Sequence, residues 1–202
     1  MSRNQKLLDQ IIVVDLESTC WEDAPPPDER SEIIEIGVCV LDIASGERLE
    51  QEGILVRPQH SHISEYCNHL TTLTQSMVDS GISFAESCEM LEKKYLSRRR
   101  VWASYGDYDR KMMARQCGEM DVPYPFGDTH INIKNILAFS LGLSKEVGLD
   151  QALALLNMPL VGTHHRGVDD AWNMAGILSR ILLHARNGFT GEGIRISSSK
   201  RS

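Results

Sequence analysis

Apolar residues along the chain alternate between short β-branched runs and longer stretches with helical spacing. Residues 11–14, Ile-Ile-Val-Val, form a compact run that is typical of a strand buried on both faces. Residues 33–43 predict a second strand, which a Ser45-Gly46 turn ends, and residues 54–56 predict a third. Because short turn-like links join the later two strands, we expect the three to form an antiparallel meander.

Helical signals dominate the second part of the chain. Ser83, followed three residues later by Glu86, has the form of a capping box and predicts that a helix begins there. The longest predicted helix covers residues 169–186, where apolar residues form one broad stripe, and Gly188 and Gly191 are expected to end it. The remaining predicted elements are helices over residues 71–78, 107–117 and 149–156, strands over residues 101–104 and 129–133, and a helix that continues from there through Leu141.

This order of elements predicts an α/β fold, because strands come first and strands mixed with helices follow. The length of 202 residues and the hydrophobic fraction of 42% fit one globular domain. We expect residues 8–188 to form that domain, with residues 1–7 and 189–202 as flexible terminal extensions.

Net charge and cysteine content narrow the classes of protein to which this chain can belong. A net charge of -7 argues against a protein that coats nucleic acid, but it is compatible with an enzyme that concentrates carboxylates around metal ions. The five cysteines are scattered without a CxxC pair, so we expect reduced thiols and a cytoplasmic protein. No apolar stretch approaches the length of a bilayer span, so no membrane partner is expected.

Four acidic residues and one histidine stand at positions where a site can form. Asp15 and Glu17 lie two residues apart at the end of the first strand, where side-chain alternation places them on the same face. Two such carboxylates are costly to bring together unless a cation neutralises them. Asp109 follows the fourth strand, His165 precedes the last helix, and Asp170 lies in the first turn of that helix.

Each of these parts alone has an ordinary structural interpretation. An acidic pair at a strand end is most often a solvated turn, and Asp107 and Asp109 are also residues that a helix N-terminus favours. Together they are the parts needed for phosphodiester hydrolysis with two metal ions about 3.5–4 Å apart. Carboxylate oxygens suit Mg²⁺ or Mn²⁺, and a neutral imidazole accepts a proton from water near neutral pH.

The order and spacing of these residues resemble the motifs of the DEDDh exonucleases, which include RNase T, oligoribonuclease and the proofreading subunit of bacterial replicase. The local sequence is more similar to the Eri-type (KapD-like) branch. The resemblance spans residues 11–183 and rests on four segments: residues 14–21 (VDLESTCW), 63–71 (ISEYCNHLT), 105–109 (YGDYD) and 164–173 (HHRGVDDAWN).

This resemblance implies an RNase H-like fold, with a central mixed sheet of five strands flanked by helices. It implies that Asp15, Glu17 and Asp170 hold the metal ion that activates water. Asp15 would bridge to a second Mg²⁺ or Mn²⁺ ion near Asp109, and His165 would be the general base. The implied reaction releases nucleoside 5′-monophosphates from the 3′ end of single-stranded RNA or DNA, or from a 3′ overhang.

The resemblance also selects between neighbouring candidates. The spacing of five residues in the third motif favours His165 and Asp170 over the adjacent His164 and Asp169. An aromatic residue directly before the second-motif acid favours Asp109 over the acid two positions earlier.

Four further residues are expected to contact the substrate. Ser18 and Thr19 follow the metal-binding strand end, and Leu70 and Leu73 are placed to wedge against the last bases. Packing of a helix on the core is an equally good interpretation of the two leucines. The chain departs from the family at Thr72, where many members have glycine.

Two alternatives remain open at this point. The domain could be a nucleic-acid-binding or partner-docking module with incidental hydrolysis, for which residues 93–94 and 98–100 are the one dense basic cluster. That cluster is also typical of a solvated helix end. A second alternative keeps the enzyme but changes its substrate to single-stranded DNA or very short oligonucleotides.

Overall fold

A five-stranded sheet carries helices on both of its faces in the computed structural model, which describes residues 5–190. The elements in chain order are β1 (Leu7–Ser18), β2 (Ile33–Asp42), β3 (Arg48–Leu55), α1 (Glu65–Thr71), α2 (Gln75–Asp79), α3 (Phe84–Tyr95), β4 (Arg100–Ser104), α4 (Tyr108–Glu119), β5 (His130–Asn132), α5 (Ile133–Leu141), α6 (Leu149–Leu155) and α7 (Gly167–Thr190).

The strand order β3-β2-β1-β4-β5 confirms the α/β class and the predicted meander. β1 pairs antiparallel with β2, and β2 pairs antiparallel with β3. β1 and β4 run parallel, with Val13 opposite Ala103, and β4 and β5 are also parallel. Because β1 and β4 run in the same direction, their carboxyl ends meet at one edge of the sheet. The residues that follow both strands are therefore brought together.

The β-branched run in β1 is buried on both faces, as its composition predicts. Ile12 and Val14 pack in a cluster with residues of α3 and α4 on one face. Ile11 and Val13 pack on the other face with residues of α5, α6 and α7. Two apolar layers thus hold β1 rigidly at the centre of the molecule.

Two strands differ in extent from their apolar patterns. β1 continues beyond Val14 to Ser18, because its pairing with β2 continues through both acidic positions. β3 begins at Arg48, whereas the pattern predicts residues 54–56. Its first half is polar because β3 lies at the edge of the sheet, where it meets solvent. Val56 itself forms only an isolated bridge with Ile82.

The single helix predicted over residues 71–78 is wrong. α1 ends at Thr71, and Thr72 adopts a left-handed backbone with φ of 63°. The Thr72 amide donates to the carbonyl oxygen of Asn68, which closes the helix. Thr74 then caps α2 by accepting a hydrogen bond from Met77 N. Two local capping interactions therefore divide a segment whose apolar pattern is continuous.

Two predictions about helix ends have different outcomes. The capping box is confirmed, since Ser83 N donates to Glu86 Oε2 at 2.9 Å and Glu86 N donates to Ser83 Oγ at 3.3 Å. The predicted stop at Gly188 is wrong, because α7 continues to Thr190 and the exposed Gly188 meets no crowding neighbour there. Gly191 lies outside the described residues.

The proposed terminal extensions are described only in part. Leu7 belongs to β1 and its amide donates to Arg99 O at 2.8 Å, while residues 189–190 belong to α7. Residues 1–4 and 191–202 of these extensions lie outside the described residues. Within residues 5–190, no helix combines the length and the apolar character that crossing a bilayer requires.

Candidate active site

Three carboxylates converge at the carboxyl end of β1. Ligand oxygens of Asp15, Glu17 and Asp170 all lie within 4.8 Å of one another. Asp15 and Glu17 alternate with Leu16 along the strand, and Asp170 lies in the first turn of α7. Glu17 and Asp170 are only 9% and 3% exposed. Strand alternation thus supplies one half of the cluster, and packing of α7 on the sheet supplies the other.

A fourth carboxylate, Asp109, is fastened to the same strand end. Its Oδ1 accepts a hydrogen bond of 3.1 Å from the backbone amide of Leu16, which lies between the two acids of β1. Asp109 is 5% exposed and lies in the first turn of α4, just after β4. All four acids and the two adjacent histidines, His164 and His165, line one cavity of about 330 Å³.

Burial and mutual repulsion make this cluster costly when its carboxylates are charged. Burial, and then the neighbouring carboxylates, raise the pKa of Asp15 well above its usual range. Burial, and then the charge of Asp170, raise the pKa of Glu17 to about 9. Burial also raises the pKa of Asp109 to about 6, although the hydrogen bond from Leu16 opposes this shift. Divalent cations would relieve the repulsion, and a donor set of carboxylate oxygens suits hard ions such as Mg²⁺ or Mn²⁺.

The two histidines occupy the loop that leads into α7, and they have different contacts. His164 Nδ1 lies 3.0 and 3.1 Å from the two carboxylate oxygens of Asp170. His165 instead uses its backbone amide, which donates to Asp170 Oδ2 at 2.9 Å, and its ring stacks on His164 at 4.0 Å between centroids. Burial, and then His164, hold the pKa of His165 below its ordinary value, which favours the neutral imidazole.

Sequence reasoning missed the residues that hold this histidine loop. The Asn173 side chain, 1% exposed, accepts a hydrogen bond of 3.0 Å from Val161 N and donates at 2.9 Å to Val161 O. Asp169 Oδ2 accepts a hydrogen bond of 2.8 Å from Thr163 N. Both residues lie within the third motif, which was the available signal. Their contacts fix both ends of the segment that leads to His165.

Glu35 was also missed, because it lies within an otherwise apolar strand. Its carboxylate is 1% exposed and accepts hydrogen bonds from Gly167 N at 2.8 Å and from Arg166 Nη2 at 3.1 Å. A Cβ atom at Gly37 would lie only 1.8 Å from the backbone oxygen of Gly167. The start of α7 is therefore docked directly on β2, and a buried acid in an apolar run was the signal for it.

The structure separates the four residues expected to contact substrate. Ser18 and Leu70 line the cavity, together with Tyr108, whose Oη is hydrogen-bonded to Ser18 Oγ at 2.9 Å. The hydroxyl of Thr19 is buried and donates to a loop carbonyl at 3.1 Å. Leu73 is 0% exposed and packs in a separate apolar cluster. The core interpretation therefore describes Leu73, and Thr19 holds the loop instead of facing the cavity.

The basic cluster considered as a nucleic-acid surface is largely neutralised by nearby acids. Lys94 pairs with Glu50 at 2.7 Å, and Arg100 pairs with Asp9 at 2.7 Å. The other ion pairs are Lys94 with Glu52, Arg98 with Glu92, and Lys93 with Glu89. These contacts support the interpretation of a solvated helix end over that of a binding stripe.

Comparison with known proteins agrees with this geometry. A family model described as "Exonuclease" matches residues 12–178, which include all four clustered acids and both histidines. The chain is 32% identical over 184 residues to "3'-5' exoribonuclease 1" of Rattus norvegicus, covering 86% of this chain and 53% of that relative. The chain thus spans about half the length of this relative.

Two solved structures are also similar. The nuclease domain of 3′hExo, "a DEDDh family member, bound to rAMP", has a TM-score of 0.75 and 28% identity over 89% of this chain and 94% of that one. A 3′-exonuclease in a structure of 3′-end-specific recognition of a histone mRNA stem-loop has a TM-score of 0.73 and 29% identity, covering 87% and 82% of the two chains.

Proposed function

This chain belongs to the exonuclease family, and from that premise we propose that it removes nucleotides one at a time from the 3′ end of RNA. Its mixed sheet flanked by helices is the RNase H-like fold of these enzymes, as the sequence resemblance implies. The family depends on divalent metal ions, and the acids of this chain are positioned to bind them. We propose that residues 8–188 form the exonuclease domain, to which β1 and α7 add residue 7 and residues 189–190.

The observation that carries this proposal is the convergence of four carboxylates in one cavity beside His165, three of them buried and that of Asp15 half-buried. In the proposed site, Asp15, Glu17 and Asp170 would hold one Mg²⁺ or Mn²⁺ ion, and Asp15 and Asp109 would hold a second. When bound, such a pair of ions supplies the positive charge that activates water and stabilises the leaving oxygen. The raised pKa values of Glu17 and Asp15 support this assignment, because they reflect a cluster that needs cationic charge.

His165 has the role of general base in the proposed reaction. Its imidazole accepts the proton of the water that attacks the terminal phosphodiester phosphorus, while the bond from phosphorus to the 3′-oxygen of the preceding nucleotide breaks. A nucleoside 5′-monophosphate leaves, and the shortened strand keeps a 3′-hydroxyl. The lowered pKa of His165 supports this role, since the neutral ring is the form that accepts a proton.

RNA is the substrate that the relatives favour. The curated relative is named as an exoribonuclease, and the similar nuclease domain was solved with rAMP bound. In this chain, Ser18, Leu70 and Tyr108 line the cavity beside the acids, with hydroxyl and apolar groups suited to a terminal nucleotide. We therefore propose Ser18 and Leu70 as substrate contacts, with a single-stranded 3′ end or a 3′ overhang as the bound form.

We also propose a cytoplasmic location. All five cysteines are free thiols, and four of them are buried. Reduced thiols are what a cytosolic protein retains, since oxidising compartments promote disulfides.

Digestion of 5′-labelled RNA and DNA of several lengths tests the proposal, with Mg²⁺, Mn²⁺ or EDTA present. We expect a ladder that shortens from the 3′ end, release of nucleoside 5′-monophosphates, and no reaction in EDTA. The matched control is Asp170→Asn, which keeps the shape of the carboxylate but not its charge and should therefore digest neither RNA nor DNA. Internal cleavage, or shortening that continues in EDTA, would contradict the assignment. Faster digestion of DNA would change the substrate but not the reaction.

A further inference from the structure

A second group of possible metal ligands shares Asp170 with the acid cluster. One ligand atom each from His164, His165 and Asp170 lies within 4.8 Å of the other two. His164 Nδ1 is already 3.0 Å from Asp170 Oδ2. The proposed reaction uses His165 and Asp170 but assigns nothing to His164, so the position of this ring against a metal-binding acid is unexplained by catalysis.

The chemistry of these ligands differs from that of the four acids. Imidazole nitrogens select Zn²⁺, Cu²⁺, Ni²⁺ and similar ions, whereas Mg²⁺ prefers oxygen ligands throughout. We propose that His164, His165 and Asp170 form a second binding site, which overlaps the acid cluster at Asp170, for a transition-metal ion of the Zn²⁺ type. Two imidazoles and one carboxylate are three protein ligands, which leave a fourth tetrahedral position open to water.

The geometry requires only a small movement to complete this site. Bonds of about 2.0–2.1 Å from zinc to nitrogen or oxygen place neighbouring tetrahedral ligands roughly 3.3 Å apart. The His164–Asp170 pair is already close to that separation, at 3.0–3.1 Å. The third ligand atom, on the His165 ring, needs to approach by no more than about 1.5 Å. His165 lies on the loop before α7 and its side chain is half-buried, so its side-chain torsions have room to change.

The surroundings also favour a preformed carboxylate ligand. The backbone amide of His165 donates to Asp170 Oδ2 at 2.9 Å, so one oxygen of this ligand is oriented by the loop itself. Thr163 is in turn held by Asp169 at 2.8 Å. The three ligands face the cavity of about 330 Å³, through which an ion can enter.

Occupation of this site inhibits the proposed enzyme, and this consequence rests on the proposed function. An ion of the Zn²⁺ type on Asp170 shares that carboxylate with the proposed Mg²⁺ site and adds a second positive charge beside it, which weakens Mg²⁺ binding. His165, once it is a metal ligand, no longer accepts a proton from water. Zn²⁺ and Mg²⁺ therefore oppose each other through a shared carboxylate, and the ratio of the two ions controls activity.

Calorimetric titration of Zn²⁺ into the full chain tests the binding site without any nuclease assay. The background is the double variant Asp15→Asn, Glu17→Gln, which removes the oxygen site but keeps Asp170. We expect one Zn²⁺ per chain, and an affinity at least tenfold lower when His164→Gln is added. The matched control is His184→Gln, an exposed histidine on α7 outside the cavity. Melting curves in EDTA verify that every variant is folded.

Two binding results would overturn the proposal. The first is an unchanged Zn²⁺ affinity after His164→Gln. The second is loss of Zn²⁺ binding in the double variant itself, which would locate the ion among the four acids.

Inhibition provides the second readout, with Zn²⁺ titrated into RNA digestion at a fixed Mg²⁺ concentration. Relative to each protein's own rate in Mg²⁺ alone, we expect half-inhibition of His164→Gln to need at least tenfold more Zn²⁺ than the wild type. Equal half-inhibition in the two proteins would refute the regulatory role. If no nucleic acid is digested at all, the proposed function fails, while the calorimetric result still decides the metal site.

Discussion

The carboxylate of Glu35 on β2 accepts a hydrogen bond of 2.8 Å from the backbone amide of Gly167, the first residue of α7. The same carboxylate is 1% exposed and pairs with Arg166 at 3.1 Å. Asp170 lies one turn further along α7, so this contact determines where the helix places its acid relative to those of β1. The placement of Asp170 thus depends on a buried acid that is not among the proposed metal ligands.

Glu35→Ala is expected to destabilise the metal-free protein by about 3 kcal/mol, because it leaves Arg166 and the Gly167 amide without their buried acceptor. Glu35→Gln is the control, since its side-chain oxygen still accepts from Gly167 and the loss should be smaller. Urea denaturation in EDTA measures both. An alanine variant as stable as the wild type would show that the contact does not hold α7 in place.

Gly37→Ala tests the close approach of β2 and α7. An added Cβ would lie 1.8 Å from the Gly167 backbone oxygen, so the strand and the helix must separate, at a cost of about 1–3 kcal/mol. Gly118→Ala in α4 is the matched control, because nothing lies within 4 Å of its Cβ position. Alanine should raise stability there by roughly 0.5–1 kcal/mol. Melting curves of the two variants should therefore shift in opposite directions.

Asp15→Asn is expected to abolish RNA digestion and yet to raise the melting temperature of the protein in EDTA. Burial and the surrounding carboxylates disfavour the charged form of Asp15, and asparagine removes that charge without changing the shape. Addition of Mg²⁺ should stabilise the wild type more than the variant. If the variant digests RNA at the wild-type rate, Asp15 is not a ligand of the proposed metal ions.

Stability of the metal-free protein should contain a component that falls as pH rises. The pKa of Glu17 is raised from 4.5 to about 9, so between these values the folded state keeps a proton that the unfolded state releases. The stabilisation that Glu17 contributes is therefore complete below its unfolded pKa of 4.5, and it is lost as the pH rises to about 9. Melting curves recorded in EDTA between pH 6 and 9 measure this component. The melting temperature should fall less steeply with pH for Glu17→Gln than for the wild type.

The stabilisation of the protein by a divalent metal ion should have the opposite pH dependence. An ion that binds Glu17 must displace its proton, so the rise in melting temperature on adding Mg²⁺ should increase from pH 6 to pH 9. The same titration with Glu17→Gln is the control. A metal-induced rise that shrinks with pH would exclude this carboxylate as a ligand.

His165→Ala is expected to slow digestion by about 10²–10⁴-fold, the contribution of a general base. Because His165 is not a ligand of the proposed Mg²⁺ ions, the stabilisation of the protein by Mg²⁺ should persist in the variant. His62→Ala, with an imidazole that is 77% exposed, is the matched control for digestion. Loss of Mg²⁺ stabilisation in His165→Ala would point to a collapsed site and not to a missing base.

Local patterns were sufficient for the central strand and for the positions of its acids. A β-branched run predicts a strand buried on both faces, and alternation along it places Asp15 and Glu17 on one side. The capping box at Ser83 is equally local, because all of its partners lie within one helical turn. Such features depend only on neighbours in sequence, and the sequence therefore determined them.

Leu70 and Leu73 show where local information ends. The two leucines lie three residues apart in one segment, yet Leu70 lines the cavity and Leu73 is fully buried in an apolar cluster. The left-handed backbone at Thr72 separates them, and α1 must also be docked on the sheet before their surroundings differ. Apolar character alone does not distinguish a substrate contact from a core residue.

The sequence by itself determined the central strand, the start of α3 and the positions of the acids, because short-range periodicity and capping encode them. Only the tertiary structure decided that β4 lies beside β1, that Asp109 bonds to Leu16, and that Glu35 holds Gly167. The first of these two hydrogen bonds joins residues that are 93 positions apart in the sequence, and the second joins residues that are 132 positions apart. Their formation depends on strand order and close packing of the whole domain, which no local pattern contains.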